Sequence, residues 1–146
     1  MLGHADIATR IPHAGRMCLL DRVLEWDARR IRCAATNHHE ADHPLREPEG
    51  LPVWAGIEYA AQAAAVHGAL LAHGEARAGL LGKVRNVRPG CAWLDRVASE
   101  LVFSATLLHE DSSGGIYDFE AHGDGALLLK GQFTLMFTGS AKQGPP

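Results

Sequence analysis

Pro-Val-Trp-Ala-Gly-Ile-Glu-Tyr-Ala-Ala-Gln-Ala-Ala-Ala-Val-His-Gly-Ala-Leu-Leu-Ala-His, residues 52–73, is the clearest element in the chain and reads as one long helix. Pro52 stands where a helix can start, because a first-turn residue needs no N–H partner. Ala55, Ala60, Ala61, Ala63, Ala64 and Ala65 make the helix small-sided and apolar on most faces. A helix apolar nearly all round is a buried helix, so other elements must wrap it. Gly74 supplies a stop. One residue breaks the pattern. Glu58 is the only charged residue between Glu49 and Glu75. A buried carboxylate is costly unless paired, so a carboxyl group there is expected to hold its proton more firmly. That is what a general acid requires. Gln62 lies one turn on, on the same face, placed to orient the carboxyl group or a water. The alternative is that Glu58 occupies an exposed stripe or the first helical turn, where the helix dipole favours negative charge.

Working outward, the pattern turns to strands on both sides. Leu19–Trp26 and Arg30–Ala35 read as two strands joined by a turn at Asp27 and Ala28. In the second, Ile31, Cys33 and Ala35 alternate with Arg30, Arg32 and Ala34, the period of a half-buried strand. Beyond the helix, Leu80–Val87, Ala98–Leu108, Ile116–Ala121 and Ala126–Phe137 read the same way. Ser112-Ser113-Gly114-Gly115 and Gly123-Asp124-Gly125 mark turns, and Arg88–Trp93 is a loop with Pro89 and Gly90. The order is β-β, one helix, then four strands. It predicts a single α+β domain over residues 1–139, an antiparallel sheet wrapped around one long helix, and a disordered tail at 140–146. Such a sheet hides an exposed edge by pairing with a second subunit, so a dimer is expected.

Between strand and helix runs a polar loop, Thr36–Leu51, with Pro44, Pro48 and Gly50. Long loops in compact domains are often functional. Three of the nine histidines, His38, His39 and His43, fall here. Histidine titrates near neutrality and makes an acid–base pair with a nearby carboxyl group. His39-Glu40-Ala41-Asp42-His43 matches the H-E-x-x-H zinc motif in letters only. That motif works on a helix, and the residue before Pro44 is pushed out of the α region. No metal and no cofactor is therefore expected. His67, nine positions past Glu58, reads as a packed or hydrogen-bonded core residue.

Composition narrows the function classes. The 146 residues are 47 % hydrophobic and 21 % charged, with a formal net charge of −3. That balance argues against general nucleic-acid binding. No stretch is long and apolar enough to span a bilayer. Cys18, Cys33 and Cys91 show no paired spacing, and no signal pattern opens the chain, which predicts reduced thiols and a cytoplasmic protein.

Ile11-Pro12-His13 followed by Met17-Cys18-Leu19-Leu20-Asp21-Arg22-Val23 resembles the opening "LPH…LLVDRV" of the 3-hydroxyacyl-acyl-carrier-protein dehydratases of fatty-acid synthesis. Ile57–Gln62, "IEYAAQ", is similar to their "IEAMAQ". The longer string from Gly56 to Leu71 resembles still more the dehydratase-like proteins of aryl-polyene clusters. The resemblance spans roughly residues 10–138 and implies a hot-dog fold. It also implies a two-residue mechanism. A loop histidine takes the C2 proton, Glu58 protonates the departing C3 hydroxyl, and the two residues come from different subunits. Backbone N–H groups at the helix N-terminus, around Val53 and Trp54, would polarise the thioester carbonyl. The family loop "GHFPxxPxxPG" is replaced, and Val53 stands where the family has glycine. His43 comes nearest to the family histidine by spacing. His38 is the competitor, because polyene-type relatives can carry the histidine earlier in the loop.

The implied substrate rides on acyl carrier protein, for which Arg46, Lys83, Arg85, Arg88 and Arg96 offer a basic landing patch. The dimer is expected to be homomeric, with a heterodimer of paralogues as the alternative. Two other functions fit the same residues. One is a hot-dog acyl thioesterase using Glu58 on the carbonyl. The other is a degenerate dehydratase-like subunit that binds acyl carrier protein or an active paralogue.

Overall fold

The computed structural model describes residues 2–10, 17–72 and 79–137. Ile11-Pro12-His13, the Gly74 stop and the tail from 138 lie outside the described residues. A short helix the sequence pattern did not signal, α1 (His4–Ala8), comes first. Strands β1 (Arg22–Trp26) and β2 (Arg30–Ala35) precede the long helix α2 (Ala55–Leu71). Then follow β3 (Gly79–Pro89), β4 (Leu101–Asp111), β5 (Gly114–Gly123) and β6 (Ala126–Phe137). The six strands form one antiparallel sheet in the order β1-β2-β4-β5-β6-β3. This is the α+β hot-dog layout, one sheet around one helix.

The sheet faces α2 because its strands alternate. In β4, Leu101, Phe103, Ala105 and Leu107 are buried while the residues between them are not. In β5, Tyr117, Phe119 and Ala121 point the same way. Successive strand side chains take opposite faces, so one face becomes the core wall. Against it lie the alanines of α2, buried from Ala60 to Ala65. Small helix residues let large sheet residues approach. Tyr59 stacks on Phe103 at 4.6 Å between ring centroids, and Phe119 on Phe133 at 5.1 Å.

Strands β4 and β5 extend past the sequence reading, to Asp111 and over Gly114–Gly123, and three elements start later than it places them, each for a hydrogen-bonding reason. Strand β1 starts at Arg22, not Leu19, because the Leu19 N–H donates to Gln62 Oε1 and its carbonyl accepts from Asn37. Strand β4 starts at Leu101, not Ala98, because the Ala98 and Ser99 N–H groups donate to the Asp124 carboxylate. Helix α2 starts at Ala55, not Pro52, because Pro52 bridges to Trp93 and the Val53 N–H donates to Ala92. Conversely, β3 runs on to Pro89, which pairs with Leu129 beyond a bulge.

His67 is a hydrogen-bonded core residue. Its Nδ1 accepts from the Tyr117 hydroxyl at 2.9 Å and its Nε2–H donates to the Asp27 carbonyl at 2.7 Å. It thus ties α2 to the β1–β2 turn and to β5. Burial lowers its pKa below 6.5, outweighing the Asp27 carbonyl and the carboxylates of Asp27 and Glu110, which favour the charged form. The folded state therefore binds this proton less readily than the unfolded chain. Stability is full above the unfolded value near 6.5 and falls as pH drops through the folded value. His67→Phe is expected to cost about 1–3 kcal/mol at pH 7.5. It should also flatten part of the acid-side decline. Urea unfolding of both proteins between pH 5 and 8 checks this, and equal slopes would contradict it.

Among the described residues, no helix is long and apolar enough to cross a membrane.

Candidate functional site

Glu58 lies in the first turn of α2 and is half-buried. It lines a pocket of about 190 Å³ with Ala61, Gln62, Ala65, Leu80, Leu81 and Leu135. Helix positions 58, 61, 62 and 65 share a face by helical spacing. That face looks toward the β3–β6 edge of the sheet. Among the described residues that line it, Glu58 is the one ionisable group and the rest are largely apolar.

Gln62 also borders this pocket, yet both its amide atoms are engaged elsewhere. Oε1 accepts from the Leu19 N–H at 2.9 Å, and Nε2 donates to the Met17 carbonyl at 2.7 Å. Its amide therefore holds the Met17–Leu19 backbone in place, an anchoring role the sequence reading did not give it.

The start of α2 has few spare donors. The N–H groups of Val53, Ala55, Gly56 and Ile57 donate to the carbonyls of Ala92, Pro52, Val53 and Trp54. The expectation that the Val53 N–H reaches a thioester carbonyl meets this bond. Among the described residues no acceptor takes the Trp54 N–H, which belongs to a residue that is 53 % exposed.

The polar loop holds its histidines firmly. A 3₁₀ turn, Asn37–His39, comes first, and the stretch after it is not helical. The H-E-x-x-H letters thus lack their helix. Among the described residues, no group of three His, Cys, Asp or Glu side chains is placed to hold a metal ion.

His43 is buried beside α2. Its Nδ1 accepts from the Leu45 N–H at 3.0 Å, so in the neutral ring the proton is on Nε2. Nε2 sits 2.7 Å from the Tyr59 hydroxyl, which in turn donates to Asn37 Oδ1 at 2.6 Å. Asn37 Nδ2 donates to the Leu19 carbonyl. His43, Tyr59, Asn37 and Leu19 form one chain of bonds.

His38 is buried too, at 1 % exposure. Its Nε2 donates to the Val97 carbonyl at 3.0 Å, an acceptor it shares with His39 at 2.6 Å. Its Nδ1 is enclosed and, among the described residues, has no hydrogen-bond partner. Burial lowers its pKa below 6.5, against the Val97 and Ser99 carbonyls and the distant Asp124, which raise it, while His39 lowers it further. Burial thus favours the neutral ring, in which Nδ1 is the acceptor nitrogen. The Val97 anchor is itself fixed through Asp124, which holds the next two N–H groups.

Neither loop histidine lines the Glu58 pocket. Within one chain the structure brings Glu58 and Gln62 together, and separately His43 with Tyr59. Tyr59 and Asn37 were not singled out from the sequence. The signal for Tyr59 was present: it is the tyrosine of "IEYAAQ" where the similar motif has alanine.

Comparison with known proteins bears on this geometry. The model of the ApeP-like family, described as ApeP dehydratase, matches residues 5–143. No curated protein sequence matches the chain. A chain of the dehydratase heterocomplex ApeI:P from Xenorhabdus doucetiae is similar at 26 % identity and a TM-score of 0.80, over 92 % of this chain and 91 % of that one. A thioesterase variant from Staphylococcus aureus has the same fold at 16 % identity and a TM-score of 0.61, over 80 % and 92 %. A thioesterase from Haemophilus influenzae does so at 12 % and 0.60, over 84 % and 80 %.

Proposed function

The chain belongs to the ApeP-like dehydratase family, and from that premise we propose that it dehydrates 3-hydroxyacyl thioesters carried on acyl carrier protein to trans-2-enoyl thioesters. The observation that carries the reading is the pocket of Glu58: one half-buried carboxyl group facing an otherwise largely apolar lining on the central helix. An apolar wall takes an acyl chain, and a carboxylic acid at its head protonates a departing hydroxyl. In the proposed step, a base removes the C2 proton. The C2–H electrons form the C2=C3 bond, the C3–O bond breaks, and the oxygen leaves as water with the Glu58 proton.

The base we assign is a loop histidine supplied across a subunit interface. Of the two candidates, His38 keeps a lone pair uncommitted, whereas His43 carries its proton toward Tyr59. An unsatisfied buried nitrogen is costly, and a catalytic role is one reason for a protein to keep it. The Nδ1 of His38 is enclosed, so reaching substrate requires the loop to shift. A pocket of about 190 Å³ falls below the roughly 300–1,000 Å³ of complete ligand sites, which suits a site finished by a second subunit. The similarity to a chain of a heterocomplex supports a paralogue in that place, and the resemblance of residues 56–71 to the dehydratase-like proteins of aryl-polyene clusters supports polyene building as the pathway class.

A second reading has its own support. Both loop histidines are enclosed, and neither lines the Glu58 pocket, as in a subunit that binds acyl carrier protein without turning over alone.

Product analysis separates the readings. The purified chain, alone and with a co-expressed paralogue, is incubated with 3-hydroxyacyl-acyl carrier protein and followed by mass spectrometry. Loss of 18 mass units, about one water, is expected for dehydration. Free acid would move the assignment to thioesterase. Turnover only with the paralogue, unaffected by Glu58→Gln in this chain, would favour the binding subunit.

A further inference from the structure

We propose that Phe137 is the end wall of the Glu58 pocket and sets the longest acyl chain it accepts. The inference rests on the reading that this pocket receives an acyl chain. On α2 the lining runs through Glu58, Ala61, Gln62 and Ala65. The next residue on that face, three further on, is Gly68. On β6 the lining includes Leu135, and the next residue on the same strand face is Phe137. These two successors meet. A Cβ placed on Gly68 would overlap the Phe137 ring, whose Cε1 would lie 2.9 Å from it. The ring therefore rests against the helix backbone, at a place where only a glycine lets it come so close.

That contact closes the groove between α2 and β6 one turn beyond Ala65. From Glu58 to Gly68 the helix advances about 15 Å. Among the described residues, the three atoms nearest to a Cβ on Gly68 all belong to the Phe137 ring. In the sheet register Phe137 pairs with Gly79. Shortening Phe137 opens the groove by about one helical turn, roughly 5 Å. A larger ring closes it earlier. Residues bordering the carboxyl end are untouched by either change.

S-alkyl pantetheine thioethers of increasing chain length test this by calorimetric binding to the full-length protein, in the assembly it forms. They cannot be dehydrated or hydrolysed, so binding is read apart from turnover. For wild type, affinity should rise about fourfold per added methylene, the usual gain for a buried CH₂, and then stop. Phe137→Ala should extend the rise by several methylenes, and Phe137→Leu by fewer. Phe137→Trp should end it sooner. Phe137→Leu is a mild change and keeps the test decisive if the alanine variant folds poorly. The same stopping length in wild type, leucine and tryptophan proteins would overturn the wall. Binding that ignores chain length in wild type would overturn the wall and the acyl reading together.

Discussion

Glu58→Gln is expected to lower kcat for dehydration by about 10²–10⁴-fold, the usual contribution of a positioned acid or base. The fold should survive it. Glu58 is half-buried in the first turn of α2, and glutamine is nearly its size and a good helix former. What is lost is a proton to give. KM should change little, because the apolar lining of Ala61, Ala65 and Leu135 stays in place. A drop in kcat at constant KM marks an interaction made in the transition state. Glu58→Asp should fall between the two, since it keeps the acid but withdraws it by one methylene. Steady-state kinetics on 3-hydroxyacyl-acyl carrier protein, with circular dichroism as the folding control, check the prediction. A fully active Glu58→Gln would remove Glu58 from the mechanism.

The second large effect separates the two histidines. His38→Ala is expected to lose about 10²–10⁴-fold in kcat/KM, as for a general base. His43→Ala is expected to keep most of its activity but to destabilise the protein by about 1–3 kcal/mol, because it strips a buried partner from the Leu45 N–H. The pH profile gives a further mark. A base must be neutral, and burial holds the His38 pKa below 6.5. The loss of activity from protonating the base should therefore set in on the acid side of the ordinary histidine range, not within it. The same burial makes the folded state resist protonation, so stability weakens in that acid range as well. Activity and unfolding have to be measured in parallel at each pH. A large kinetic loss in His43→Ala with His38→Ala left active would return the base to His43, the residue that spacing alone favoured.

The architecture was legible because its signals are periodic. An alanine-rich helix with one charge, flanked by alternating strands, leaves few layouts other than a sheet around that helix. The ends of the elements were less so. Leu19, Ala98 and Val53 look like strand or helix residues by composition, but acceptors from distant segments take their N–H groups: the Gln62 and Asp124 side chains and the Ala92 carbonyl. No local pattern encodes a bond across 43 residues. The site shows the same division. Glu58 stood out as a lone charge, which is visible in one dimension. The difference between His38 and His43 lies in which ring nitrogen meets which partner. That depends on Tyr59 and Val97 arriving from α2 and from the β3–β4 connection. Gln62 was legible as a helix-face polar residue, but its pull on Met17 and Leu19 was not.

The strand order also shapes how the chain acquires its structure in time. Strand β3 is made third but lies at the far edge of the sheet, where among the described residues it pairs only with β6, the last strand. It cannot pair until residues 126–137 have been synthesised. At about 5–20 residues per second, the gap between Pro89 and Phe137 amounts to several seconds on the ribosome. Through that interval Leu80 and Leu81 sit on an open strand, the kind of segment that sticks to other nascent chains. The basic residues Lys83, Arg85 and Arg88 fall on that same strand. Whatever they do in the finished molecule, repulsion between like-charged edges guards it during those seconds.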